Sequence, residues 1–293
     1  MLAFSSLLGN VEGQNIYRIW YDKPASYWEE ALPVGNGRIA AMVFGDPQLE
    51  QIQLNEETVS AGSPYQNYNE EAKTALPEMR RLIFEGKYEE AQNMAATKIL
   101  SQVGNEMPYQ TVGRLNIRYQ DHKKVNNYYR DLDISNAVAV TRYEVDGVEF
   151  TEETFASFTD QLVIRHIKAS KPGTINCELF FNTPMRDPKR SIYGKKGLRL
   201  EGITHGSRYF QGKVHYCADL DVKHKGGKVI TANDTLLSVQ GASELTLYIS
   251  MATNFVNYKD ISGDPYQRNK AYLKNAAKDY SCLLYTSPSP RDA

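Results

Sequence analysis

The chain has 293 residues, which is enough for one large β-domain or two small domains. Its 34 lysine and arginine residues balance 35 aspartate and glutamate residues, so it lacks the basic surface that nucleic-acid-binding proteins carry. No stretch of about 18 or more apolar residues occurs, so no membrane-spanning helix is predicted. Neither nucleic acid nor a membrane is therefore an expected partner.

The first 16 residues are predicted to be a signal-peptide remnant or an N-terminal extension. Residues 1–14, MLAFSSLLGNVEGQ, are apolar and rich in small side chains, like the second half of a secretory signal peptide. Val11 and Gly13 suit a cleavage site before Gln14, although the basic opening of such a signal is missing. The signal-peptide interpretation predicts a periplasmic or secreted location.

Residues 17–60 have the pattern of short strands. Residues 38–44 are apolar and end at a Gly-Asp-Pro turn, and residues 48–54 then alternate between apolar and polar side chains. A period of two is typical of a half-buried strand, so the two segments predict a hairpin.

A helical insertion is predicted over about residues 70–101, where the apolar positions change to helical spacing. Asn69 is the expected N-cap, and Pro77 suits the first helical position, where its missing N–H is not needed. Gly86 is expected to end or kink the helix.

The remainder up to residue 258 again has the alternation of strands. Asp146-Gly147 tolerates the positive φ angles of a type I′ turn and predicts a hairpin between its neighbours. Further strands are predicted at residues 161–168, 174–181, 197–203, 213–222, 228–232, 235–239 and 244–253. Many short strands joined by local turns, without a βαβ order, predict a mainly β fold: an antiparallel sandwich.

The C-terminal part is predicted to be helical over residues 266–284. Tyr266, Asn269, Tyr272, Leu273, Ala276 and Tyr280 share one broad face of this helix. Residues 281–293, SCLLYTSPSPRDA, are similar to translated vector or sequencing-adapter sequence, and we expect them to be a non-native tail. Two prolines in this segment cannot continue a helix.

Four segments near the N-terminus carry a resemblance to a known family. Residues 20–25 read WYDKPA, residues 28–38 read WEEALPVGNGR, residues 42–45 read MVFG and residues 51–58 read QIQLNEET. Together they resemble the opening of the N-terminal β-domain of glycoside hydrolase family 95, the inverting α-L-fucosidases. The resemblance implies a β-supersandwich over residues 17–258, the start of a linker helix over 259–280, and a catalytic (α/α)6 barrel beyond it.

No catalytic residue is predicted within the chain. Glu29-Glu30, Glu56-Glu57 and Glu152-Glu153 are adjacent pairs, and neighbours on a strand point to opposite faces, so we expect solvated charges or domain contacts there. By resemblance, the family's acid and water-activating residues lie in the barrel, in a stretch that this chain lacks. The resemblance implies no metal or organic cofactor, and the parent enzyme would act on a fucosylated oligosaccharide, or on an α-L-galactosyl relative.

Two other motifs are read as structural. The segment from Gly35 to Ala41 fits the loose form GxGxxA, but its flanking residues favour a glycine turn into a strand over a dinucleotide site. Cys177 and Cys217 could form a disulfide, but buried free thiols are the favoured interpretation.

The family resemblance and the residue types suggest a sugar-contacting rim or a domain interface. The residues proposed for it are Trp28, Glu29, Asn36, Arg38, Asn55, Glu56, Asn254 and Asn257. Two alternatives remain open for the whole chain. One is a free-standing carbohydrate-binding module with an exposed aromatic platform; the other is the β-domain of a maltose phosphorylase-like family, whose opening lacks the WEEALPxGNG run.

Overall fold

A computed structural model describes residues 17–65, 67–101, 107–206 and 210–286. The predicted signal remnant at 1–16 and residues 287–293 of the predicted tail lie outside these ranges. The limits proposed for the β-domain and the linker also stay predictions. Within the described part, strands dominate, and they form two antiparallel sheets in a sandwich, which confirms the predicted fold class.

Nine strands form one sheet, in the order β1-β6-β7-β8-β9-β16-β13-β12-β11. Their bounds are β1 Arg18–Tyr21, β6 Asn126–Asp133, β7 Val138–Val145, β8 Val148–Ser157, β9 Leu162–Ala169, β11 Arg186–Tyr193, β12 Gly197–Ile203, β13 His215–Lys225 and β16 Glu244–Thr253. Seven strands form the other sheet, in the order β14-β15-β10-β5-β4-β3-β2. Their bounds are β2 Leu32–Gly35, β3 Ile39–Val43, β4 Leu49–Glu56, β5 Gly113–Tyr119, β10 Ile175–Asn182, β14 Lys228–Asn233 and β15 Leu236–Ala242.

The predicted local turns produce the predicted pairs. Strand β3 pairs antiparallel with β4, and β7 pairs with β8 across Asp146 and Gly147, whose φ angles are +50° and +76°. These are the two positive values that a type I′ turn needs. Gly37, with φ of +92°, lies in the turn from β2 to β3, as the glycine-turn interpretation of this segment requires.

One apolar core fills the space between the sheets. On β5 the side chains of Leu115, Ile117 and Tyr119 point inward. Cys177 and Cys217 are buried free thiols, one on each sheet, which confirms that interpretation. The core therefore requires no cross-link between these two positions.

The helical insertion consists of α1 (Ala72–Phe84), α2 (Tyr88–Met94) and a π-helical turn (Ala95–Ile99). Gly86 ends α1 with φ of +76°, and the Lys87 N–H donates to the Leu82 carbonyl at 2.9 Å, so the predicted stop is confirmed. The position assigned to Pro77 was wrong, because it lies inside α1. Its ring is exposed, and water can satisfy the carbonyl that it leaves without a donor.

The N-cap assignment also needs correction. Glu71 occupies the cap position of α1, and the side chain of Asn69 accepts the Glu71 N–H at 3.0 Å instead. The Asn69 amide also donates to the carbonyls of Thr97 and Leu100 at 3.2 and 3.3 Å. Asn69 therefore ties the start of the insertion to its end.

The C-terminal helices cover part of the outer face of the nine-stranded sheet. They are α3 (Pro265–Leu273), a 3-10 turn (Lys274–Ala277) and α4 (Tyr280–Thr286), so the predicted helix is broken into three pieces. Asp264 caps α3 by accepting the N–H groups of Tyr266 and Gln267. Ala276 and Leu283 pack against Phe155 and Ile164 in a second apolar cluster.

A buried ionic cluster joins the two sheets. Arg165 on β9 bonds to Glu152 on β8 and, at 3.2 Å, to Glu50 on β4 of the other sheet. Tyr119 and Tyr143 each donate a hydroxyl to Glu152 at 2.8 Å. The expectation that Glu152 is a solvated charge or a domain contact was wrong, because its side chain is needed to neutralise a buried guanidinium.

Replacing Arg165 with methionine should lower the free energy of unfolding by about 3–5 kcal/mol, because the buried Glu152 carboxylate loses its counter-charge and Glu50 loses a hydrogen-bond donor. Denaturant titration followed by circular dichroism measures this change. The matched control is Arg142→Met, an exposed arginine on β7 of the same sheet, with an expected change below about 0.5 kcal/mol. Equal stabilities of the two variants would refute the role of the cluster.

The pH dependence of stability should show the titration of Glu50. Burial raises the pKa of Glu50 from 4.5 to about 7, so between these values the folded chain keeps a proton that the unfolded chain releases. The contribution of this group to stability is present at low pH and is lost as the pH rises towards 7. Glu50→Gln should therefore flatten the decline of unfolding free energy between about pH 5 and 7. An unchanged slope would argue against this assignment.

Candidate functional site

Arg38 gathers three segments at one end of the sandwich. It follows the β2–β3 turn, and its guanidinium donates to the Gln161 side chain at 2.5 Å and to the Met251 carbonyl at 2.8 Å. It also bonds to Glu56 at 3.3 Å and lies 4.7 Å from the centre of the Tyr272 ring on α3. Arg38 therefore connects the seven-stranded sheet, the nine-stranded sheet and the C-terminal helices.

Glu56 is the buried partner of Arg38 and ends β4. Only 4% of the residue is exposed, and its carboxylate accepts the N–H and the hydroxyl of Thr58 at 2.7 and 2.6 Å. Burial raises the pKa of Glu56, while Thr58 and Arg38 lower it in part. The expectation of a solvated charge was wrong here too, whereas its neighbour Glu57, in the turn after β4, is exposed.

The asparagines at this end shape the backbone. The Asn36 side chain accepts the N–H groups of Arg38 and Ile39 and donates to a carbonyl at the end of β8. Asn254 accepts the His215 N–H at 2.9 Å, and Asn257 accepts an N–H within its own exposed turn. Asn55, also at the end of β4, is half-buried. Six of the eight predicted residues therefore lie at the same end of the fold, around the ends of β4 and β16.

A groove of about 620 Å³ opens beside this cluster. None of the eight predicted residues lines it, but their neighbours Glu57, Thr58, Phe255 and Tyr258 do. The Tyr258 side chain is 75% exposed, and the Tyr65 ring packs on Phe210 at 5.2 Å. The groove is therefore largely apolar, and several of its lining residues carry hydroxyl groups.

Helix α3 holds the wall that contains Phe255. Arg268 on α3 donates to the carbonyls of Thr253 and Phe255 at 2.9 and 2.7 Å. Gln161 and Tyr272 contact Arg38 from distant parts of the chain, and nothing in the local sequence pattern predicts these contacts. Arg268 was not predicted either, although its partners Thr253 and Phe255 are only 15 and 13 positions away.

Trp28 and Glu29 do not belong to this cluster. They lie in a short 3-10 helix (Trp28–Glu30), and Trp28 shares a smaller hollow with Phe44 and Leu49 at the start of β4. Glu56 is at the other end of this eight-residue strand, about 23 Å away at ~3.3 Å per residue. The predicted rim is therefore two separate surfaces, and the role of each residue in sugar or domain contact stays a prediction.

Glu50 and Glu152 converge, but both are buried between the sheets and face Arg165 and not a surface cleft. In the described ranges, no group of three or more His, Cys, Asp or Glu side chains could hold a metal ion. None of the helices in that part of the chain has the length and apolar character needed to span a bilayer.

Comparisons with known proteins agree with this architecture. A family model described as "Glycosyl hydrolase family 65, N-terminal domain" matches residues 19–258. "Alpha-L-fucosidase 2" of Arabidopsis thaliana is 32% identical over 271 residues, which cover 84% of this chain and 31% of that protein. "Probable alpha-fucosidase A" of Aspergillus niger is 26% identical over 290 residues, 90% of this chain and 35% of that protein. The chain thus spans about a third of the length of these relatives.

A solved structure assigned as a kojibiose phosphorylase from the human microbiome shares the fold. Its TM-score is 0.50 at 12% sequence identity, and the match covers 92% of this chain and 37% of that chain. At this identity the likeness concerns the fold alone.

Arg38→Met should lower the free energy of unfolding by about 1–3 kcal/mol, because Glu56 and Gln161 lose a charged donor. It should also speed hydrogen exchange in α3, since Tyr272 loses its contact with the guanidinium. Mass spectrometry of exchanged peptides measures this loosening. The control is Arg81→Met, which removes two exposed ion pairs within helix α1 and should lower the free energy of unfolding by less than about 0.5 kcal/mol. Unaltered exchange in α3 would contradict the bridging role.

Proposed function

The chain belongs to the family of glycosyl hydrolase family 65 N-terminal domains, and we propose that it is the non-catalytic β-domain of an inverting α-L-fucosidase. The parent enzyme would hydrolyse terminal α-L-fucosyl linkages in glycans, with α-L-galactosyl groups as the alternative. The fucosidase names of the relatives and the family 95 motifs support the choice of sugar.

The use of the carboxylates carries the proposal of a non-catalytic role. An inverting glycosidase needs an acid and a base roughly 6.5–9.5 Å apart on either side of the bond that it cleaves. Here Glu152 neutralises Arg165, Glu50 bonds to the same guanidinium, and Glu56 pairs with Arg38, so these buried acids serve the fold. The reaction would therefore take place in another domain.

That other domain is the proposed intramolecular partner, an (α/α)6 barrel. Two surfaces suit it. The helical insertion exposes Phe84 at 89%, Tyr88 at 69% and Leu100 at 61%, and large exposed apolar residues in one region are typical of contact surfaces. The groove beside Arg38 would face the barrel and form part of the rim around the sugar. The parent protein would be periplasmic or secreted.

A phosphorylase parent is the second candidate, because the matching family model is that of family 65 N-terminal domains and the solved structure that shares the fold is named as a kojibiose phosphorylase. The two differ in the acceptor that attacks the sugar: water in a hydrolase, inorganic phosphate in a phosphorylase. A requirement for phosphate therefore separates them.

The chain by itself should release no L-fucose from 2′-fucosyllactose above a heat-denatured control. The full-length parent protein should release L-fucose in phosphate-free buffer. Proton NMR should show the β-anomer first, because inversion of an α-linkage gives the β-product. Turnover by the chain alone would refute the non-catalytic role, and a strict need for phosphate would favour the phosphorylase.

A further inference from the structure

We propose that the hollow around Trp28 is a second glycan-binding site, which takes a neutral pyranose residue away from the site of hydrolysis. The tryptophan hollow is the surface depression bounded by Tyr27, Trp28, Phe44, Asp46, Gln51 and Arg114. Its volume is about 310 Å³, at the lower end of the range for small-molecule sites and suited to one sugar ring. This inference does not depend on which sugar the parent enzyme releases.

The loop that carries the two aromatic rings is rigidly held. Fully buried Arg130 donates to the Lys23 carbonyl at 2.8 Å and to the Glu30 carbonyl at 2.6 Å, and its guanidinium lies 4.0 Å from the centre of the Tyr21 ring. The Ala25 N–H also donates to the Phe44 carbonyl at 2.9 Å. Both ends of the loop are thus fastened from inside the protein.

The rings themselves stay outside. Tyr27 is 58% exposed and Trp28 is 51% exposed, although the backbone that carries them is anchored. An exposed aromatic ring does not contribute the stabilisation that burial in the core would give. A flat ring that is already fixed, however, loses little conformational entropy when a ligand packs on it. The apolar C–H face of a pyranose is a ligand of the right shape for such a ring.

Polar groups with fixed positions complete the hollow. The Arg114 guanidinium lies 5.6 Å from the centre of the Phe44 ring and donates to the Gln51 side chain. Its planar set of N–H donors can bind two neighbouring sugar hydroxyls at once. Asp46 lies in the same hollow, and one of its oxygens already accepts the N–H groups of Gln48 and Leu49.

The charge of the hollow favours a neutral ligand. One arginine and one aspartate line it, so their formal charges cancel and leave no excess positive charge for a phosphate or a carboxylate. The hollow is also separated from the groove beside Arg38 by the length of β4. A long glycan could therefore occupy the hollow without blocking the groove.

Tryptophan fluorescence tests the proposal directly, because the chain has only two tryptophans. In a Trp20→Phe background, Trp28 is the single tryptophan reporter. We expect 2′-fucosyllactose, lactose or maltotriose to produce a saturable blue shift of its emission. Calorimetric titration should give the same affinity, and Trp28→Ala or Arg114→Ala should weaken it at least tenfold while leaving the melting temperature within a few degrees.

The controls separate this site from other surfaces. Phe84→Ala, an exposed aromatic on the helical insertion, and Tyr258→Ala, in the groove, should leave the affinity unchanged. The proposal is overturned if none of the three sugars binds up to its solubility limit. It is also overturned if binding survives Trp28→Ala but is lost in Tyr258→Ala, or if inorganic phosphate competes for the site. Because these measurements need no turnover, an inactive parent enzyme would leave the result intact.

Discussion

The pairing of Arg165 with two carboxyl groups is the constraint on which the sandwich depends. A guanidinium that is fully buried between two sheets is tolerated only if opposite charge lies beside it. Glu152 comes from the same sheet and Glu50 from the opposite one, so the ion cluster fixes how the layers face each other. The apolar core alone would permit small shifts of one layer over the other, whereas these directional bonds do not.

The same cluster extends towards the surface. Glu50 also accepts the N–H groups of Phe44 and Gly45 at 3.2 and 3.1 Å, and Tyr128 donates to the Gly45 carbonyl at 2.6 Å. Phe44 in turn holds the loop of Trp28 and lies beside Arg114. A continuous set of hydrogen bonds thus links the buried arginine to the tryptophan hollow, which gives the exposed rings a rigid base.

At the opposite end of β4, Arg38 links separate segments of the fold, as Arg165 does in the core. It joins β4, β16 and α3, and Arg268 adds a second link from α3 to the end of β16. The groove is therefore attached to the C-terminal helices, the segment that the family resemblance assigns to the start of the linker. In the proposed enzyme, the position of the rim would follow the position of those helices, and the acids of the β-domain would hold the scaffold while the barrel carries the chemistry.

The sequence by itself determined the features that depend on neighbouring residues. Alternation specified most strands, Asp146-Gly147 specified its hairpin because of its turn geometry, and Gly86 specified the end of α1. Two strands escaped this reasoning. Strand β11 is an exposed edge strand that contains a proline. Strand β6 is mostly polar in sequence, and its Arg130 and Asp131 can be buried only because they pair with residues elsewhere in the chain.

Only the tertiary structure decided which polar residues are buried and which predicted site residues meet. Arg165 and Glu50 are 115 positions apart, and Arg38 and Gln161 are 123 positions apart, so no local pattern could pair them. The fold placed Arg38 beside Glu56 at one end of β4 and Trp28 near the other end of that strand. The physical reason is that the alternation of apolar and polar residues along a strand indicates which face of the sheet a side chain lies on. The partner that it meets on that face depends on how strands from distant parts of the chain pack together.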